Sequence, residues 1–211
     1  KKKKGFEVHV FEKNNNFGGR ARQFKTENGF VFDMGPSWYW MSDIFDSYFE
    51  DFGRKTSEFY NLISLDPQFE MVFSDCNLHL PANFEQMKTI FESIETGAAH
   101  QLERFMNDAK TKYEIGMKDF VTKPCISWFE FFSLKILKNS FKLDLLSDFR
   151  SFVSKYFKDQ KLRTLMEFPV IFLGASPQKI PALYSLMNYG GYKLGTFYPM
   201  GGFYKIIEAM M

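Results

Sequence analysis

The feature that most constrains this chain is a short apolar run that ends in an acid and is followed at once by glycines and arginines. Glu7-Val8-His9-Val10-Phe11-Glu12 reads as a buried β-strand, and Asn14 to Gly19 as turn material. Gly18-Gly19-Arg20-Ala21-Arg22 comes next. An acid at the carboxyl tip of a strand is where a dinucleotide fold places its acceptor for the ribose hydroxyls. Paired glycines let the backbone approach a phosphate, and backbone N–H groups in such a nest bind anions. Arginines add charge-assisted hydrogen bonds to a pyrophosphate. Taken singly, a strand-end glutamate is commonly just solvated, and a Gly-Gly pair is an ordinary turn. The order strand, acid, Gly-Gly-Arg is what carries the signal.

Lys1 to Lys4 with Gly5 read either as the last turn of a helix with its stop or as a solvated basic tail. Helix, glycine, strand, acid is the second half of a βαβ unit. Such a unit opens with a G-x-G-x-x-G turn at a helix N-terminus. No such motif occurs in residues 1–211. The expectation is therefore an internal fragment whose first strand and glycine-rich turn lie before residue 1.

Downstream, Gly29 to Asp33 reads as a strand ended by Gly35-Pro36. Phe69 to Phe73 and Leu78 to Leu80 read as strands joined by a turn at Ser74 to Asn77. From Asn83 the pattern becomes helical: Leu102, Phe105, Met106, Ala109, Tyr113, Met117 and Phe120 recur at helical spacing. Phe141 to Phe157 repeats it through Leu145, Phe149, Phe152 and Tyr156, and a last helix is expected over Phe203 to Met211. These elements suggest an α/β fold with two interleaved parts. Residues 1–65 and 186–211 would form a partial nucleotide-binding domain, and 66–185 a helix-rich insert.

Composition excludes more than it assigns. The chain carries 27 Lys and Arg against 25 Asp and Glu, mixed along its length, for a net charge of +2. That is no footprint for nucleic acid. Cys76 and Cys125 stand apart and the three histidines lack ligand spacing, so neither a disulfide framework nor a metal site is indicated, and a reducing, cytoplasmic setting fits. Phe168 to Tyr192, the least charged stretch, is broken by Pro169, Pro177, Lys179, Pro181 and Gly190-Gly191. No segment has the roughly 20 apolar residues of a spanning helix. The 27 Phe, 10 Tyr and 3 Trp are many rings for this length; they suit a site for a long hydrocarbon, and equally an AT-rich coding bias.

Val10-Phe11-Glu12-Lys13, Gly18 to Arg22, Gly29-Phe30-Val31-Phe32-Asp33-Met34-Gly35-Pro36-Ser37 and Tyr198-Pro199-Met200-Gly201-Gly202 occur in that order. Together they resemble the phytoene desaturase branch of the flavin-containing amine oxidase-like superfamily. Trp38-Tyr39-Trp40-Met41 and the stretch from Glu167-Phe168-Pro169 to Leu173-Gly174 look similar to bacterial members of that branch. The resemblance implies a Rossmann-like FAD-binding domain, present in part, with an interleaved helix-rich substrate and membrane domain. It implies non-covalent FAD, with Glu12 on the ADP ribose and Gly18, Gly19, Arg20, Ala21 and Arg22 on the pyrophosphate. Asp33, Gly35, Pro36 and Ser37 would run towards the flavin ring.

The reaction so implied is hydride transfer from an allylic C–H of a long apolar polyene such as phytoene to flavin, with loss of a proton from the adjacent carbon. The cofactor carries that chemistry, and the protein supplies orientation and a dry site. No general base is identified. Asp148 and Arg150 are polar positions on the expected 141–157 helix, read first as a solvated pair. Phe129, Phe131, Phe132, Phe149, Phe152, Tyr156, Phe172 and Met187 line a hydrocarbon tunnel or form the insert's core. Trp128-Phe129-Glu130-Phe131-Phe132 puts four rings in five positions and suggests peripheral membrane contact. The same resemblance leaves open another superfamily flavoprotein, retinol saturase-like or amine oxidase-like, and a prenyl-lipid-binding protein of the GDP-dissociation-inhibitor type.

Overall fold

A computed structural model describes residues 5–117, 144 and 147–211. In chain order its main elements are β1 (Gln23–Lys25), β2 (Val31–Asp33), α1 (Ser42–Glu50), β3 (Leu62–Ser64), β4 (Phe69–Val72), β5 (Asn77–Leu80), α2 (Phe84–Ile94), α3 (Ala98–Gly116), α4 (Phe149–Ser154), α5 (Gln160–Glu167), β6 (Phe197–Pro199) and α6 (Tyr204–Met210), joined by short 3-10 and π turns. The chain divides into two compact units, Lys1–Gln68 with Gly195–Met211, and Phe69–Leu194.

The first unit is discontinuous in sequence. Its strands form two antiparallel pairs, β1 with β2 (Phe24 opposite Phe32) and β3 with β6 (Ile63 opposite Tyr198). A loop from Thr26 to Phe30 closes the first hairpin, with Gly29 in the left-handed region at φ 89°. The core gathers Tyr39, Phe49, Tyr60, Phe203 and Ile206, with Phe45, Leu62, Phe197 and Ala209 packed against them. One face of α1 and one face of α6 thus share an aromatic centre.

One sequence expectation is corrected here. Glu7 to Glu12 form no strand, and the segment is exposed throughout, with Val10 at 83% and Phe11 at 93%. A strand is stable only between neighbours that satisfy its backbone and cover its side chains, and no described segment pairs with Glu7 to Glu12. Among the described residues every strand pair is antiparallel. The expected helical turn at Lys1 to Lys4 lies outside the described residues.

The second unit is mostly helical. Asn83 caps α2, its side-chain oxygen accepting from the N–H groups of Glu85 and Gln86 at 2.9 and 3.1 Å. Glu92, in the last turn of α2, does the same for α3: it accepts from the N–H groups of Gly97, just before that helix, and Ala99, in its first turn, and those bonds hold its carboxyl below the usual range. On α3, Leu102, Phe105 and Ala109 are fully buried and Met106 and Tyr113 nearly so, as their spacing predicts. Phe105 meets Phe152 of α4 at 5.4 Å and Phe157 at 6.1 Å. Glu95 fastens the two halves of this unit by accepting from the backbone N–H groups of Lys158 and Asp159. β4 and β5 form a hairpin at the edge of this unit.

The helix expected over 141–157 is shorter. It begins at Phe149, because Asp148 turns its carboxylate onto the Ser151 N–H at 2.9 Å and caps it. The positions between 118 and 143, with 145 and 146, lie outside the described residues, and with them Phe120, Cys125, Phe129, Phe131, Leu145 and the whole Trp128 to Phe132 cluster. No described helix is long and apolar enough to cross a membrane.

Candidate functional site

The residues singled out as cofactor-binding fall in the first unit, and most of them are brought together. Gly18 and Gly19 both sit at positive φ, 99° and 53°, and lead into a 3-10 turn, Gly19–Ala21, closed by the Ala21 N–H on the Gly18 carbonyl at 2.8 Å. The turn is then pinned to the end of β2, where the Met34 N–H donates to the Arg22 carbonyl at 2.8 Å. Immediately after that bond, Gly35 lies against the turn so closely that a Cβ on it would fall 1.9 Å from the Arg20 carbonyl oxygen. Only glycine fits there. The Gly18 to Arg22 block and the Asp33 to Ser37 block are therefore one local structure.

A third motif joins them from the far end of the chain. Asp33 accepts from the Phe203 backbone N–H at 2.9 Å, more loosely from Gln23 Nε2 at 3.4 Å, and from the Tyr198 hydroxyl at 3.5 Å. A Cβ on Gly202, whose φ is 96°, would meet Gln23 Nε2 at 2.8 Å and the Asp33 carboxylate at 2.9 Å. Burial, with the nearby Asp33 charge, pushes the Tyr198 phenol up. On the other side of the glycine turn, the Ile207 side chain of α6 stands 3.1 Å from the ideal Cβ position of Gly18. Tyr-Pro-x-Gly-Gly thus closes the site by packing its glycine onto Asp33.

Glu12 stands apart from this cluster. It is exposed and accepts from the Asn14 backbone N–H at 2.8 Å and from Asn14 Nδ2 at 3.0 Å. These bonds, with a small contribution from the Arg22 charge, hold its carboxyl below the usual range. Among the described residues no hydrogen bond or close ion pair engages the side chain of Arg20 or Arg22. Pro36 and Ser37 are exposed and irregular. An open cleft of about 630 Å³ lies elsewhere in the same unit, along Asp46, Glu50, Lys55 to Ser57 and Tyr60 to Leu62, and none of the expected site residues lines it.

In the second unit the structure corrects the reading of Asp148 and Arg150. They are not a solvated pair. Asp148 is a helix cap, and Arg150 forks onto Glu167 with Nε–Oε1 at 3.2 Å and Nη2–Oε2 at 3.0 Å. Phe149 and Phe152 are buried core, Met187 is half-buried, and Phe172 is exposed beside Ile171 and Leu173. Lys112, 1% exposed, ion-pairs with Asp144 at 2.9 Å and lies over the Phe152 ring, and burial drives its ammonium below the usual range.

Sequence reasoning missed Gln23 and Tyr198 as partners of Asp33, because nothing in their own neighbourhood marks them. It also missed a relay in which the Trp40 indole N–H donates to Thr196 Oγ1 at 2.7 Å and the Thr196 hydroxyl donates to Gln68 Oε1 at 2.7 Å.

The whole of this arrangement falls within a single family match. The model for flavin containing amine oxidoreductases aligns with residues 2–211. The chain belongs to that family. Carotenoid 3,4-desaturase of Haloarcula japonica is 34% identical over 209 residues, which is 98% of this chain and 42% of that protein. The 4,4'-diapophytoene desaturase (4,4'-diaponeurosporene-forming) of Staphylococcus aureus strain Newman is 30% identical over 207 residues, 98% of this chain and 41% of that protein. The chain thus spans about two fifths of the length of the curated relatives it matches.

The cofactor of this flavin oxidoreductase family is FAD, and the residues present fit part of it. The left-handed Gly18-Gly19 turn and the arginines beside it are groups that suit a pyrophosphate. FAD, when bound, supplies the hydride acceptor.

Proposed function

We propose that the protein carrying this chain is an FAD-dependent desaturase that introduces double bonds into an acyclic carotenoid precursor such as phytoene. The observation that carries the proposal is the convergence of three separate sequence blocks on one site: Gly35 against the Arg20 carbonyl, and Asp33 on the Phe203 N–H. The named activities of the Haloarcula and Staphylococcus relatives supply the substrate class.

On this reading residues 1–65 and 186–211 belong to a Rossmann-like FAD-binding domain, and 66–185 to a helix-rich substrate domain. Arg20 and Arg22 neutralise the pyrophosphate, while Gly18 and Gly19 let the main chain approach it. Glu12 accepts from the ribose hydroxyls once the segment Glu7 to Glu12 has strand neighbours. Asp33 acts as a positioning residue. It holds the end of β2 against the Gly201-Gly202 turn, so that Gly35, Pro36 and Ser37 face the ring end of the cofactor. The exposed Ile171-Phe172-Leu173 run gives the protein apolar surface for peripheral contact with a membrane, where such a substrate resides.

The test is a spectrum and an assay on the full-length protein. Purified with detergent or liposomes, it should carry a flavin absorption band and convert phytoene or 4,4'-diapophytoene to more conjugated products. A protein with no flavin and no affinity for added FAD would refute the cofactor assignment. A flavoprotein that oxidises amines and leaves both hydrocarbons untouched would refute the substrate class.

A further inference from the structure

In the second unit the turn of the β4–β5 hairpin meets the start of α5 through three side chains. The turn is closed by the Phe73 N–H on the Cys76 carbonyl at 2.8 Å, with Val72 opposite Asn77, and it carries Asp75 and Cys76 side by side. The helix end is held as firmly. Asp159 caps it by accepting from the N–H groups of Lys161 and Leu162 at 2.7 and 3.2 Å. Glu95 in turn accepts from the N–H groups of Lys158 and Asp159. Between these two anchored pieces the Lys161 ammonium donates to Asp75 Oδ2 at 2.6 Å and to Cys76 Sγ at 3.3 Å.

Lys161 does little for its own helix. A cation in the first turn opposes the helix dipole. Its ion pair with Asp75, the two side chains 31% and 62% exposed, is of the kind that contributes little to stability. What the arrangement does achieve is an amine in contact with a free, half-buried thiol, both open to small solutes. Atoms about 3–3.5 Å apart are already at the distance from which a bond forms.

We propose that Cys76 and Lys161 are the two ends of a reversible, peroxide-driven cross-link, a sulfenamide between Sγ and Nζ. The Cys76 thiolate attacks one oxygen of hydrogen peroxide; the O–O bond breaks, leaving a sulfenic acid and hydroxide. A sulfenic acid condenses with a neighbouring nitrogen when one is in reach. The Lys161 amine, its extra proton released to solvent, attacks the sulfur: the S–N bond forms, the S–O bond breaks, and the hydroxyl leaves as water with an amine proton. In sum, one thiol, one ammonium and one peroxide give one sulfenamide, two waters and one proton. Sulfur gives up two electrons and the peroxide takes them. A thiol reductant returns those electrons and reopens the link. The bond joins residues 85 positions apart, and cross-links that close long loops constrain the unfolded chain most. The link is thus an oxidant-dependent staple of the helical unit, and it does not depend on the desaturase reading.

The test treats the full-length protein with hydrogen peroxide and reads its tryptic peptides by mass spectrometry, with and without a thiol reductant. Asp75 holds the Lys161 ammonium above its usual range, so the treatment is made at mildly alkaline pH, where the amine is released. The peptide of Cys76 should appear joined to that of Lys161, lighter than the two together by two hydrogens, and should separate on reduction. The oxidised protein should melt about 5 °C or more above the reduced protein. Cys76→Ser and Lys161→Met should each abolish both the joined peptide and the shift in melting; Lys161→Arg, which keeps the charge and removes the amine, should abolish them too. Recovery of Cys76 unmodified, or only as sulfinic or sulfonic acid, overturns the proposal. So does a disulfide from Cys76 to Cys125, or a joined peptide that persists in Lys161→Met.

Discussion

The carbonyl oxygen of Arg20 occupies the space that a side chain on Gly35 would need, 1.9 Å from the ideal Cβ position. Both partners are main chain, so no rotamer change relieves the contact. Gly35→Ala must separate the glycine-arginine turn from the end of β2. It should cost about 3 kcal/mol or more, at the upper end for overpacking, and should lower flavin content. Ser37→Ala, at an exposed neighbouring position, should stay within about 0.5 kcal/mol of wild type. Thermal melts and flavin absorbance of the two full-length variants check both.

Glu12 and Arg20 are proposed to grip opposite parts of the ADP half of the cofactor. Removing both should weaken FAD by about 1–3 kcal/mol per lost charged hydrogen bond. Titration with FAD, followed by quenching of flavin fluorescence, measures it. A Glu12→Ala, Arg20→Ala double variant with wild-type affinity would mean that the pyrophosphate lies elsewhere.

Asp33 bears on stability as well as on the site, because its carboxylate receives the Phe203 N–H at 2.9 Å. Asp33→Ala should destabilise the protein by about 1–3 kcal/mol, the range for an N–H left unpaired. Asp33→Asn keeps an acceptor and should recover part of that loss. Urea midpoints for the three proteins give the order wild type, Asn, Ala; equal midpoints for Asn and Ala would show that the contact carries no energy.

The Tyr39 and Tyr60 hydroxyls meet in the core of the first unit, and burial pushes both phenols above their ordinary value of 10.0. The neutral form is therefore favoured in the folded state. Its contribution is fully present below the unfolded pKa and is lost as pH rises past about 10, where the unfolded chain ionises first. Urea midpoints should fall above that pH, and fall less in Tyr39→Phe, which gives up about 1 kcal/mol at neutral pH. Parallel alkaline slopes for the two proteins would contradict this.

What the sequence makes legible depends on how far the determining contacts lie. Asn83 announces a helix because its cap acts on residues two and three positions ahead, and the Leu102 to Tyr113 spacing shows which face of α3 is buried. The Ser74 to Asn77 turn is equally local, closed by the Phe73 N–H on the Cys76 carbonyl. Glu7 to Glu12 has the composition of a buried strand, but a strand is made by its neighbours, and composition cannot supply them. The early start expected for α4 fails because Asp148 caps rather than continues, a choice between helix interior and cap that aspartate's side chain makes locally.

For the site, motif order set out Gly18 to Arg22 and Asp33 to Ser37 one after the other without showing that they touch, and the structure brings them together. Nor could motif order show that Asp33 turns to Phe203, since spacing along the chain says nothing about two residues so distant. Arg150 illustrates the same limit: its partner Glu167 lies on the following helix, beyond any i, i+4 pattern.

The pairing of β3 with β6 has a consequence for synthesis. Leu62 to Ser64 leave the ribosome long before Phe197 to Pro199, and nearly everything between them belongs to the other unit. The contiguous unit can complete its contacts as it emerges, whereas the discontinuous one must wait with an open strand edge and a half-built aromatic core. The glycine-arginine turn shares that delay, since Asp33 finds the Phe203 N–H only when the start of α6 appears. A nascent chain stalled before residue 197 would hold its cofactor half-site unassembled and sticky, which makes this interval the one in which chaperone binding matters most.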